Sequence, residues 1–166
     1  LTLTNIGFMA TVGRNGPIAS PVEFYSEDLD VYIYPQPDSP KIKALQRDPR
    51  MSFAVANSMA GWASAMGVQL FGTGELLEPG TPDWEHGMTV FKYPASNWEV
   101  GRPIDSVPTG LLLRLRPDRI TLTEHFLRRS GYAARQFWER DPDAAPRRTA
   151  SGRAAVANES TARPSD

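Results

Sequence analysis

Short runs of strand-type residues, each closed off by glycine, proline or a polar turn, set the tightest limit on what this chain can fold into. Residues 6–12 are apolar and run into the turn cluster Gly13-Arg14-Asn15-Gly16, after which residues 18–25 are again strand-like, so the two form a hairpin. Residues 29–34 make a further strand that ends at Pro35 and Pro37, which cannot donate into a ladder. Residues 51–56, 68–77, 111–115 and 119–123 continue the series, and Gly72 and Gly74 mark a bulge or a close backbone approach in the longest of them. Two helix starts interrupt the strands. Asp38 or Ser39 caps a short helix with Pro40 at its first position and Pro49 as its stop, and Thr81 caps a second over residues 83–92 with Pro82 first. The pattern predicts a mainly β fold, a small closed or partly open barrel of six or seven antiparallel strands with one to three short helices.

A length of 166 residues suits one domain, and the composition divides it. From Asp141 to Asp166 no aromatic occurs and Val156 is the sole large aliphatic, so this stretch cannot offset its ordering entropy by burial. We expect a folded body over residues 1–140 and a disordered tail over 141–166. The sequence begins at Leu1, which leaves room for an element upstream. Eighteen basic and 19 acidic side chains argue against a nucleic-acid binder, which needs a basic excess. With no cysteine and only His86 and His125, thiolate metal sites, cysteine nucleophiles and multi-histidine metal centres are excluded within one chain. No apolar run reaches the roughly 18 to 20 residues that span a bilayer, so a cytoplasmic protein is expected.

Phosphate-cradling GxxxxGK[ST], GxGxxG, HExxH and GxSxG motifs are all missing. The segment Gly61-Trp62-Ala63-Ser64-Ala65-Met66-Gly67 has the wrong spacing for a nucleophile turn and reads as a loop. The sharpest constellation is Asp38-Ser39-Pro40-Lys41, where unpaired N–H groups, a hydroxyl and an ammonium could gather around a phosphate. The competing reading makes Ser39 a plain cap and Lys41 a solvated side chain, and spacing leaves both open. Trp62, Trp84, Trp98 and Trp138, with Phe91, Tyr93 and Tyr132, are expected in the core or an interface, with one or two free to cover a planar ring. His86 and His125 read as hydrogen-bonded or solvated histidines. The run from Arg114 to Arg119 reads as a solvated strand face and turn.

Residues 6–78 taken together resemble the FMN-binding split-barrel proteins related to pyridoxamine 5'-phosphate oxidase. The likeness lies in succession and spacing: Phe8-Met9-Ala10-Thr11-Val12-Gly13, the Arg14-Asn15-Gly16-Pro17 turn, Ser20-Pro21-Val22-Glu23-Phe24-Tyr25, Val31-Tyr32-Ile33-Tyr34, then Ser39-Pro40-Lys41-Ile42-Lys43-Ala44-Leu45, Arg47-Asp48-Pro49-Arg50 and residues 68–76. The resemblance implies a homodimer with flavin at its interface. It implies further that Ala19-Ser20-Pro21-Val22 runs along the ring, that Ser39 and Lys41 hold the phosphate, that Gln69 points toward the flavin, and that Trp98 of the partner walls the pocket. The sequence departs from the family pattern at Pro35 and Pro40, where two phosphate donors commonly stand, and around Ala19, where the oxidases themselves place an arginine.

The expected function is therefore an FMN-dependent oxidoreductase moving a hydride to or from a small organic substrate, with the cofactor carrying the chemistry. The deazaflavin F420 is the alternative cofactor. A non-catalytic flavin or haem binder, with His86 or His125 as axial ligand, and a cofactor-free dimeric scaffold are the readings from other classes.

Overall fold

The computed structural model describes residues 4–57, 64–92, 97, 101–103 and 105–141. Eight strands form one antiparallel sheet: β1 (Ile6–Gly13), β2 (Gly16–Glu23), β3 (Tyr25–Glu27), β4 (Asp30–Ile33), β5 (Arg50–Ala56), β6 (Met66–Leu77), β7 (Leu112–Glu124) and β8 (Arg135–Glu139). Their order is β2-β1-β5-β6-β7-β4-β3, with β8 pairing on β7 beyond that path. Helices α1 (Pro40–Leu45) and α2 (Pro82–Phe91) and a 3-10 helix (His125–Ser130) complete the described elements.

The curl of the sheet follows from one residue. β2 and β3 stand at opposite ends of the strand order, yet only Phe24 separates them in sequence. A single residue spans at most about 3.6 Å, so the two ends must meet and the sheet must roll into a half-barrel. Phe24 is 1% exposed and packs edge-on against Phe53, ring centroids 4.9 Å apart, which anchors that seam in the core. The core inside the curl gathers Met9, Val31, Ile33, Met51, Leu70 and Leu115, and α1 plugs it with Ile42 and Leu45.

The mainly β half-barrel matches the expectation, while the strand count of eight exceeds the predicted six or seven. Phe24 breaks the predicted strand 18–25 into β2 and β3, because the chain there leaves the β1 ladder for β4. The predicted strands 111–115 and 119–123 are one strand, β7, running through Pro117. The register slips between Phe71 and Gly72 of β6, so Pro117 falls at a bulge, where an absent N–H is tolerated. Gly72 is required there: a Cβ on it would collide with the Arg116 carbonyl. β8 was not foreseen. The tail from residue 142 onward lies outside the described residues.

Helix α2 begins as its sequence predicts, with the Trp84 N–H donating to Thr81 Oγ1 at 3.3 Å. It covers the outward surface of β4 and the first half of β7, enclosing Tyr32, Leu77, Trp84, Met88, Phe91 and Leu112 in a second cluster. Gly87 allows the close approach, since a Cβ there would lie 2.5 Å from Leu112 Cδ2. Among the described residues no helix is long and apolar enough to cross a membrane.

Candidate functional site

Side chains alternate across a strand, so the ladder registers fix which residues share a face. On the outward side, Pro21 of β2 pairs with Phe8 of β1, Phe8 with Ala54 of β5, Ala54 with Gln69 of β6, Gln69 with Thr121 of β7, and Thr121 with Phe137 of β8. The neighbouring row runs Ala19, Ala10, Ser52, Phe71, Arg119. These two rows form a broad face without a charge until Arg119, whose guanidinium lies over the Phe71 ring, 4.2 Å from its centroid. Phe8 is 57% exposed and Phe137 is 71% exposed on this face. Among the described residues no helix covers it.

Three sequence-predicted site residues, Ala19, Pro21 and Gln69, thus share one surface. Pro21 and Gln69 stand three strand spacings apart, about 14 Å, roughly the reach of a fused tricyclic ring and its substituents. Ser20 and Val22 face the other way, paired with Met9 and Gly7, and Val22 packs on the core. Ser39 and Lys41 are not brought onto the outward face by any ladder. They sit at the start of α1, which packs on the β1–β2 hairpin. Trp98, Trp62 and Tyr93 lie outside the described residues.

Ser39 holds the N-cap position of α1 without making a side-chain cap bond, and its enclosed Oγ has no hydrogen-bond partner. A shielded, unsatisfied hydroxyl costs about 1 to 3 kcal/mol, a cost that an oxyanion acceptor would remove. Lys41, two residues on, is half-buried. A cleft of about 410 Å³ opens between the hairpin turn and α1, lined among others by Arg14, Asp38, Lys43 and Arg47. Ser39 and Lys41 adjoin it in sequence without lining it. The enclosed hydroxyl and the uncharged outward rows fit a phosphate-bearing planar cofactor.

The expectation of a solvated face over residues 114–119 is corrected at Arg114, which is 6% exposed. Its Nη2 donates to Glu75 Oε2 at 2.7 Å and to Asp83 Oδ2 at 2.9 Å, tying β7 to β6 and to α2. Burial works against this charge, and the hydrogen bonds to Glu75 and Asp83 outweigh it, holding the guanidinium pKa above its ordinary value. Tyr32 beside it is pushed up by burial, against the hydrogen bond with Arg114. His86 bonds Glu27 through Nε2 at 2.6 Å, linking α2 to β3. Among the described residues no group of three or more His, Cys, Asp or Glu could hold a metal.

Sequence reading missed the partners that make the outward face continuous, Phe8 and Ala54. The signal was available in β1, whose outward positions Ile6, Phe8, Ala10 and Val12 are as apolar as its inward ones. A strand apolar on both faces expects cover on both.

Comparison with known proteins agrees with this architecture. The structure resembles a haem-binding protein from Mycobacterium smegmatis (TM-score 0.62, 21% identity, 82% of this chain), spanning 53% of that protein's length. It also resembles the conserved hypothetical protein Rv2991 from Mycobacterium tuberculosis (TM-score 0.59, 19% identity, 90% of this chain and 86% of the other). An FAD-binding protein from Mesorhizobium loti shares the fold at TM-score 0.54 and 21% identity, over 72% of this chain and 83% of that one. No curated protein matches the sequence. The family model described as pyridoxamine 5'-phosphate oxidase matches residues 1–124, which is most of the described fold and all of the outward face except β8. By that match, this chain belongs to the pyridoxamine 5'-phosphate oxidase family.

Proposed function

We propose that the protein is a flavin-dependent oxidoreductase that takes FMN on the outward face of β2, β1, β5 and β6, beneath a second copy of the chain. The observation that carries this reading is the single uncharged row from Pro21 through Phe8 and Ala54 to Gln69. Ala19 and Pro21 would support the ring, the Gln69 amide would meet its polar edge, and Ser39 and Lys41 would hold the phosphate. Bound flavin supplies hydride transfer, and the chain supplies binding, orientation and exclusion of water. Family membership and the flavin named for one structural neighbour support the cofactor class. The cover by a second copy is argued from the exposure of Phe8 and Phe137, since apolar side chains of this size on one face mark an interaction surface. Trp98 of that copy is proposed to close the pocket.

The test is the visible spectrum of the purified protein, with mass spectrometry of any small molecule released on denaturation. Flavin bands that disappear in Lys41→Ala uphold the proposal, and a released deazaflavin with the same dependence replaces FMN by F420. A Soret band would instead indicate haem, with His86 or His125 as the candidate ligand. A colourless protein that is not stabilised by added FMN sinks the oxidoreductase reading.

A further inference from the structure

A second cleft, of about 660 Å³, lies where the 3-10 helix and the loop after it fold back beside the paired ends of β7 and β8. Its lining includes Thr123, His125, Arg128, Tyr132 and Arg135, and no carboxylate. Glu124 is the nearest acid in sequence, and strand alternation turns it to the opposite face from Thr123. Neither the Arg128 nor the Arg135 guanidinium has an ion-pair or hydrogen-bond partner among the described residues. Several other described arginines are engaged: Arg50 with Asp48, Arg114 with Glu75 and Asp83, Arg116 with Asp30, Arg119 over Phe71, Arg129 over Phe126, and Arg140 with the Pro117 carbonyl. Two unpaired guanidinium forks, a phenol and a hydroxyl around one concave space are the donor set that recognises an oxyanion.

The position of the cleft matters as much as its charge. Thr123 pairs with Gly67 and with Arg135, one row along from Gln69 and Thr121 on the outward face. The cleft therefore opens at the margin of the uncharged surface. We infer that it is an anion-binding subsite, taking the carboxylate or phosphate of a small molecule whose apolar body lies against that surface. The assignment of the body rests on the flavin reading, whereas the anion site stands without it.

Calorimetric titration with inorganic phosphate at fixed ionic strength tests the site. The wild-type protein is expected to bind phosphate saturably, and Arg128→Gln/Arg135→Gln to weaken it about tenfold or more. Arg128→Lys/Arg135→Lys, which keeps the charge and loses the fork, should fall between the two. Lys43→Gln/Arg47→Gln removes equal charge from the α1 cleft and should leave binding unchanged. No saturable binding, equal losses in both charge-removing pairs, or a loss confined to Lys41→Gln would each overturn the inference.

Titration of FMN and riboflavin into the same variants identifies the source of the anion. A loss for FMN alone means that the cleft holds the cofactor's phosphate. Unchanged affinity for both flavins means that it holds the substrate's anion. A protein that takes up FMN but no phosphate overturns the anion site and leaves the flavin proposal standing. One that binds phosphate but neither flavin does the reverse.

Discussion

The two outward surfaces of the curled sheet are finished in opposite ways. Over β4 and the first half of β7 the chain supplies its own cover, with Trp84, Met88 and Phe91 of α2 pressed onto Tyr32 and Leu112. Over β1, β2, β5 and the first half of β6 no described helix supplies cover, although Phe8 and Val12 there are as apolar as anything beneath α2. The same sheet and the same alternation produce both surfaces, so the difference lies in which of them the described helices cover. The covered side should govern the stability of the fold, and the bare side its association and ligand uptake.

The largest effect is expected from Trp84→Ala. Trp84 is 6% exposed and its indole Nε1 donates to the Gly110 carbonyl at 2.9 Å. Truncation opens a cavity beneath α2 and should cost about 3 to 5 kcal/mol in urea unfolding. A loss below about 1 kcal/mol would mean that α2 is only loosely attached. Next comes the ion cluster, where the choice of partner decides the outcome. Glu75→Ala/Asp83→Ala leaves the Arg114 charge buried and uncompensated, an expected loss of about 3 kcal/mol. Arg114→Met instead leaves carboxylates that are 48% and 62% exposed and so remain hydrated, with an apolar side chain filling the site. That variant should cost about 1 kcal/mol or less. Equal losses would mean that the cluster acts through packing alone.

These two sites were legible to different degrees. The helix over Trp84 could be read because Thr81, Pro82 and the following apolar residues are local signals, and the Thr81 cap forms as expected. The burial of Arg114 could not, since its partners lie 31 and 39 residues away and the alternating charges around it imitate a solvated strand. Phe24 behaves in the same way: the residue that joins the sheet's two ends looks from sequence like one more residue of a single strand, 18–25. For the candidate site, family spacing picks out Ala19, Pro21 and Gln69, and registers between distant strands were needed to put them on one surface. The cleft beside β8 had no motif to announce it, because its arginines converge only through the turn at Gly131, where φ is 81°.

On the bare side, Phe8→Glu should reverse the pattern seen at Trp84. The substituted side chain is exposed within one chain, so the stability of an isolated subunit should change by no more than about 0.5 kcal/mol. Light scattering should nevertheless fall from the mass of two chains to that of one, and FMN uptake should disappear with it. A wild-type protein that already scatters as one chain would refute the cover by a second copy. An intact dimer in the variant would place the interface elsewhere.

The smallest effect belongs to Asp48 and Arg50, a pair at the margin of the bare face. Hydrogen bonds from Arg50, through its guanidinium and its backbone N–H, lower the Asp48 carboxyl to about 2 from its ordinary 3.8. The folded chain thus gives up this proton more readily than the unfolded one. The pair's contribution is complete above the unfolded value and is lost as pH falls from 3.8 toward 2. The Asp48→Asn variant should therefore trail the wild type slightly in thermal midpoint near neutral pH and draw level as pH approaches 2. Salt should shrink the neutral-pH gap, because the pair is near water and screened. A gap that persists unchanged at low pH would mean that the effect of the substitution does not run through the Asp48 charge.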